Sequence, residues 1–373
     1  MKILSISEEK KKYNTREELI DLLKQIEESR HELIGLDISE NSFSPECILE
    51  LVKAISAIPT MEIVTFKGVF TGRGKEEVEE SLRHIAEYLR KLEGLTYFDI
   101  SDNALSLHGM KLLSPLIEKM DSLRHLVLNN NGIGRDGGSY LAESLTVLSK
   151  SNNGLQSIEV GRNRLEDSAK AIGAALELFP YLDSVKIYQN SINAVIMSDF
   201  LLSLSVLSIR VLDIGDNFLL EHGSRALSKC LNHWSVEVLN ISDCLMGDSG
   251  VTVLASQLAQ NTRIQGELLG EIVFDLSYND LTEDTFQHTQ TLLEKLPAAR
   301  FILTGNELSA DHIETLSQIA AYKGGEVLFE EEEDLVFSSE EKEEPEEDLA
   351  SLEEQLADIV LSHHTEPQTK EVG

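Results

Sequence analysis

Apolar residues recur along this chain in a short, asymmetric frame, L-x-x-L-x-L-x-x-N-x-L, and each copy runs into a stretch with apolar residues at helical spacing. The frame reads Leu33, Leu36, Ile38, Asn41, Phe43, and then Leu95, Phe98, Ile100, Asn103, Leu105. It returns at Leu123 to Ile133, Leu155 to Leu165, Leu182 to Ile192 and Ile209 to Leu219. Looser copies follow: Val236 to Met246 carries Cys244 at the asparagine position, while Glu271 to Leu281 and Ala298 to Leu308 lack the first leucine. The key positions are Asn41, Val69, Asn103, Asn131, Asn163, Asn190, Asn217, Cys244, Asn279 and Asn306, spaced 27 to 35 residues apart. No such unit can bury its apolar face alone, so the copies must stack.

The pattern predicts an α/β leucine-rich-repeat solenoid, a crescent with parallel strands on the concave face and helices on the convex face. Each unit supplies a short strand, an asparagine that hydrogen-bonds backbone in the following turn, and an amphipathic helix that packs behind. Residues 1–30 are expected to form an N-terminal cap, with a short strand over Ile3 to Ile6 and capping-box spacing from Thr15 to Glu18 ahead of a helix. The repeat domain is expected over 31–322. Residues 323–373 then read as an acidic, largely disordered tail with a short amphipathic helix over 348–362. Within that helix, Leu352, Leu356, Ile359 and Leu361 also have the spacing of a leucine-rich nuclear export signal.

The frame sorts residues by exposure. The strand position facing the concave surface reads Asp37, Thr65, Asp99, Val127, Glu159, Lys186, Asp213, Asn240, Asp275 and Ile302. Five of these ten are acidic, which points to a binding face for a basic surface. The position just before each asparagine falls at the strand-to-helix rim, and there the chain carries Asp102, Asn130, Arg162, Asp216 and Asp243 among others.

Charge strengthens that picture. The formal net charge is −33, and about half of it falls between residues 326 and 373, where eighteen acidic residues face two lysines. Such a chain should avoid nucleic acid and anionic membrane and attract a basic partner. No secretory signal is recognisable, and no apolar run approaches the roughly 18 residues that span a bilayer. A soluble, intracellular monomer without membrane insertion is expected. Cys47, Cys230 and Cys244 lie far apart with no CxxC pair, so they read as buried reduced thiols and support neither a disulfide framework nor a metal site. No cofactor motif occurs: GVFTGRGKEE fails both the GxxxxGK[ST] phosphate loop and GxGxxG.

One stretch breaks the frame. In FKGVFTGRGKEEVEE, Phe66 to Glu80, Val69 replaces the asparagine and a loop presents Arg73 between Gly72 and Gly74 before a helix that opens among glutamates. This segment resembles the Ran GTPase-activating protein family, whose second repeat carries a similar FTGR-x-K-[DE]-E. The likeness continues through LNNNGIG at Leu128 to Gly134, GRNRLED at Gly161 to Asp167, YQNSI at Tyr188 to Ile192 and SDCLM at Ser242 to Met246. Of these, FTGR, NNG and GRNRLE lie outside the repeat consensus.

The resemblance implies a function. Family members stimulate GTP hydrolysis by the small GTPase Ran in nucleocytoplasmic transport, without an active site of their own and without an inserted arginine finger. On that likeness, Asn130 meets the GTPase's catalytic glutamine, and Arg73 organises the loop and the partner contact. Thr71, Lys75 and Arg162 are expected to touch the GTPase, and Asp102, Asp216 and Asp243 to face its basic surface. The implied partners are GTP-bound Ran and a Ran-binding accessory protein. The implied place is the cytoplasm, extending to the cytoplasmic side of the nuclear envelope. A different class of function, a non-catalytic repeat protein that binds or inhibits a basic partner, would use the same acidic concavity. Departures from the family pattern are Gly74, where members often have valine, and Asn129, where some have histidine.

Overall fold

Twelve short strands hydrogen-bond in strict chain order into one parallel sheet: Lys2–Ser5, Leu33–Asp37, Ile63–Thr65, Tyr97–Asp99, His125–Val127, Ser157–Glu159, Ser184–Lys186, Val211–Asp213, Val238–Asn240, Ile272–Asp275, Ala299–Ile302 and Glu326–Leu328. The structure, a computed structural model, describes residues 1–7, 9–260, 272–295 and 299–329. Strand register is that of the sequence frame: Asp37 pairs with Thr65, Thr65 with Asp99, Asp99 with Val127, Val127 with Glu159 and Glu159 with Lys186. Parallel strands need a crossover, and each is a helix, such as Lys75–Leu89, Ser106–Ile117 or Gly134–Leu148, that packs on the next. This is the leucine-rich-repeat solenoid that the spacing predicts.

The core runs unbroken between the two layers. Leu36, Val64, Phe98, Leu126, Ile158, Val185, Leu212 and Leu239 point inward from successive strands and are fully buried. They meet helix residues such as Ile85, Leu113, Leu145 and Ile172. Truncating one of these leucines to alanine typically costs about 2–5 kcal/mol. All three cysteines are free and buried; burial pushes the Cys230 and Cys244 thiols up to about 12, far from a reactive thiolate.

The asparagines hold the turns. Asn163 donates Nδ2 to the carbonyls of Val160 at 3.0 Å and Gly161 at 2.9 Å in its own turn, and of Leu128 at 2.9 Å in the preceding repeat. Its Oδ1 accepts from the backbone N–H of Asn131 at 3.0 Å. The bonds therefore reach into the repeat before, rather than only into the turn that follows. Where Val69 interrupts the ladder, Asn103 Oδ1 takes the N–H of Phe70 at 3.1 Å, and Val69 is buried among apolar neighbours.

The N-terminal segment adds the first strand, Lys2–Ser5, one residue earlier than the apolar pattern places it. A second, two-stranded ribbon pairs Lys12–Tyr13 with Ser42–Phe43, and the Tyr13 and Phe43 rings stack with centroids 4.7 Å apart. Glu18 caps the following helical turn by accepting from the backbone N–H groups of Asn14 at 2.5 Å and Thr15 at 3.3 Å, as the Thr15 to Glu18 spacing predicts. At the other end the sheet passes the expected boundary at 322, because Glu326–Leu328 supplies one more strand. The acidic stretch from residue 330 onward, including the expected helix over 348–362, lies outside the described residues.

Candidate functional site

Every residue that precedes a ladder position has a left-handed backbone. Glu40, Gly68, Asp102, Asn130, Arg162, Gln189, Asp216, Asp243, Tyr278 and Gly305 all have φ between 49° and 70°. Non-glycine residues resist this region by roughly 1 kcal/mol. Here it is supported, because the rim N–H donates to a carbonyl one repeat on: Asp102 to Asn129 and Asn130 to Gly161, both at 2.9 Å. Asparagine and aspartate tolerate the conformation best, which suits Asp102, Asn130, Asp216 and Asp243 to the rim.

Side chains join along this rim. Asn130 is exposed, and its Nδ2 donates to Asp102 Oδ1 at 2.6 Å. The other Asp102 oxygen lies 3.8 Å from Lys67 Nζ, which is 3.5 Å from Glu40 Oε1. A second chain begins one residue earlier: Asn129 Nδ2 donates to Glu159 Oε2 at 3.1 Å, and Glu159 Oε1 meets Lys186 Nζ at 2.7 Å. Thus Asn129, Asn130 and Asn131 have three different tasks. Asn129 binds the strand face, Asn130 lies on the open rim, and Asn131 is a fully buried ladder residue.

The strand-face acids prove to have a structural task. Asp37, Asp99, Asp213 and Asp275 each accept, through Oδ1, the backbone N–H two residues on, at 2.8–3.1 Å, and Asn240 does the same at 3.0 Å. These turns engage one carboxylate oxygen of each aspartate. Asp37 and Asp99 are also buried, and burial pushes the Asp99 carboxyl up to about 6. The recurring D-x-S or D-x-G in Asp37–Ser39, Asp99–Ser101, Asp213–Gly215 and Asp275–Ser277 is the sequence signal for it. The acidity of the strand face therefore arises in part from turn geometry.

Arg73 turns away from the rim. Nε donates to Ser42 Oγ at 2.9 Å, Nη1 to Asn14 Oδ1 at 2.9 Å, and Nη2 to the carbonyls of Tyr13 and Ser42, both at 3.1 Å. Glu77 Oε1 adds an ion pair at 3.6 Å, and the side chain is only 10% exposed. The guanidinium thus ties the loop to the N-terminal ribbon. Gly72 uses the left-handed freedom expected of it, with φ 73°. Gly74 does not: at φ −72° and ψ 159° it is the extended N-cap of the helix, and its N–H donates to Glu77 Oε2 at 2.8 Å.

The remaining candidates spread along the same edge. Thr71 is exposed and donates to the Gly68 carbonyl at 3.1 Å. Lys75 is 72% exposed, 3.8 Å from Glu79, which also meets Arg83 at 3.4 Å and His108 at 3.7 Å. Arg162, Asp216 and Asp243 are exposed rim residues with no ion pair among the described residues. Gly161, beside Arg162, lies under the Tyr188 ring so closely that a Cβ would come within 2.3 Å of it. The sequence pattern shows the glycine but not the ring that requires it.

Comparison with known proteins gives four findings. A leucine-rich-repeat family model matches residues 120–142 and 235–255. The chain is 30% identical over 268 residues to Ran GTPase-activating protein 1 of Saccharomyces cerevisiae, covering 68% of this chain and 64% of that protein. It is 31% identical over 192 residues to Ran GTPase-activating protein 1 of Xenopus laevis, covering 49% of this chain and 33% of the other. The chain therefore spans less than two thirds of either relative. Among solved structures, the leucine-rich-repeat protein LegL7 of Legionella pneumophila aligns with a TM-score of 0.47 at 18% identity, over 84% of this chain and 98% of that one.

Proposed function

Because this chain belongs to the Ran GTPase-activating protein family, we propose that it stimulates GTP hydrolysis by a Ran-type GTPase in its GTP-bound state, as an activator with no active site of its own. The observation that carries this reading is the contrast between two side chains. Asn130 is exposed on the rim, while Arg73 has its donors turned inward on Tyr13, Asn14 and Ser42. An arginine finger must place its guanidinium on the transferring phosphate. Arg73 would have to abandon four hydrogen bonds to do so, at a cost of several kcal/mol.

Asn130 instead meets the catalytic glutamine of the GTPase, and the rate gain comes from positioning that glutamine and the attacking water and from partial exclusion of solvent. Arg73 sets the loop that carries Thr71 and Lys75. These two and Arg162 contact the GTPase, and Asp102, Asp216 and Asp243 face its basic surface and speed encounter. The place of action is the cytoplasm, in nucleocytoplasmic transport, with a Ran-binding accessory protein as a further partner.

The test is hydrolysis of GTP-loaded Ran with substoichiometric amounts of this protein. The expected result is acceleration over the whole GTPase pool, each activator molecule acting repeatedly. Tight binding without acceleration would instead mark a non-catalytic repeat protein for a basic partner.

A further inference from the structure

Asp102 and Asn130 occupy the same rim position in consecutive repeats, both left-handed, and their side chains meet at 2.6 Å. A carboxylate accepts hydrogen bonds and does not donate them. Asp102 therefore takes the amide nitrogen of Asn130 and not its oxygen. The nitrogen and oxygen lie on opposite edges of a planar carboxamide, so Oδ1 remains as an acceptor with no partner among the described residues. Lys67 steadies the other Asp102 oxygen from 3.8 Å.

We propose that Asp102 is a positioning residue that sets which end of the Asn130 carboxamide meets the GTPase. This rests on the reading of Asn130 given above. With Oδ1 outward, Asn130 offers an acceptor at that edge, so the glutamine of the GTPase presents its NH2 group to it. The glutamine oxygen is then left to accept a hydrogen bond from the attacking water, whose lone pair stays free for the phosphorus. A reversed carboxamide would do the opposite. Asn130 Nδ2 would capture the glutamine oxygen, and the glutamine NH2 would face the water and occupy the lone pair that must attack.

Asp102→Gly is the clean deletion, since Gly68 and Gly305 hold the same rim position at φ 66° and 70°. In single-turnover hydrolysis by GTP-loaded Ran, its saturated rate should fall about tenfold, because the released carboxamide no longer holds its productive position and orientation. The half-saturating concentration should change less. A second variant exchanges the pair, Asp102→Asn with Asn130→Asp. The amide at 102 then donates to the carboxylate at 130, whose second oxygen again faces outward as an acceptor. Its saturated rate should exceed that of Asn130→Asp alone by about fivefold or more. An Asp102→Gly protein with a normal saturated rate and only a raised half-saturating concentration, beside a slow Asn130→Ala, would overturn the positioning role alone. A normal rate for Asn130→Ala would overturn the Asn130 reading as well.

Discussion

Arg73 grips Ser42 at two points, with Nε on the hydroxyl at 2.9 Å and Nη2 on the carbonyl at 3.1 Å, while that hydroxyl donates onward to the Thr71 carbonyl at 2.8 Å. The cycle closes the loop onto the residues that pair with Lys12–Tyr13. It follows that Arg73→Ala should destabilise the N-terminal end by about 3 kcal/mol, because a charged, nearly buried hydrogen-bonding group is removed and its acceptors are left behind. Amide exchange reads this directly. The Ser44 N–H, bonded to Tyr13 O at 2.8 Å, should lose protection, while amides of later repeats should not. Arg73→Lys should rescue little, since an ammonium cannot reproduce the planar fork.

The two glycines that flank Arg73 should respond in opposite ways. A Cβ on Gly74 would meet nothing closer than Glu77 Oε2 at 3.4 Å, and the backbone is one that any residue adopts. Gly74→Ser should raise the urea midpoint, by roughly 0.5–1 kcal/mol, through lower unfolded-state entropy. Gly72→Val, with φ 73° to satisfy, should lower it by about 1–2 kcal/mol. A valine at 74 would likewise fit the backbone here.

Asp99 gives the fold a pH dependence with a definite sign. Its carboxyl is raised to about 6 in the fold, first by burial, against a value near 3.9 for an unfolded aspartate. Between these two values the folded chain binds the proton more tightly than the unfolded chain does. The stabilisation from this group is therefore present toward pH 4 and is lost as pH rises through about 6. Asp99→Asn keeps an acceptor for the Ser101 N–H, as Asn240 does for Ser242, and removes the buried charge. The variant should be more stable than the parent at pH 7.5, on the order of 2 kcal/mol, with the difference shrinking at pH 4.5. Paired urea titrations at the two values measure it.

Gly161 and Tyr188 should prove coupled. Gly161→Ala forces the Tyr188 ring to move, since the new methyl would lie 2.3 Å from ring carbon, and should cost about 1–3 kcal/mol. In a Tyr188→Ser background the same change should cost much less. A double-mutant cycle in denaturant reports the difference as a coupling energy, and strict additivity would show that the ring is not what holds glycine there.

The repeats, their register and the buried ladder were legible in the sequence because each depends on spacing alone. Asn131 and Asn163 could be told from Asn130 by counting from the strand leucines. What spacing could not supply is direction. Asp99 and Asp213 read as charge offered to a partner, yet each accepts a backbone N–H from its own turn, which depends on how the chain bends after the strand. Arg73 likewise read as a residue presented by a glycine-flanked loop that it organises, with no sign of what it binds. Its actual partners, Asn14 and Tyr13, are some sixty residues away in sequence and meet it only through the pairing of Lys12–Tyr13 with Ser42–Phe43. The acceptor left open on Asn130 was also invisible, because it depends on which end of the carboxamide Asp102 takes.

The most direct measurement of the central claim is the single-turnover hydrolysis rate of GTP-loaded Ran at saturating activator, taken for Asn130→Ala and Arg73→Ala side by side. Asn130→Ala should bind and fold normally yet lose about a hundredfold in saturated rate. Arg73→Ala should need a higher concentration to saturate and then recover most of its rate. A folded Arg73→Ala protein that binds but cannot accelerate hydrolysis at any concentration, beside an Asn130→Ala protein of normal rate, would contradict the account.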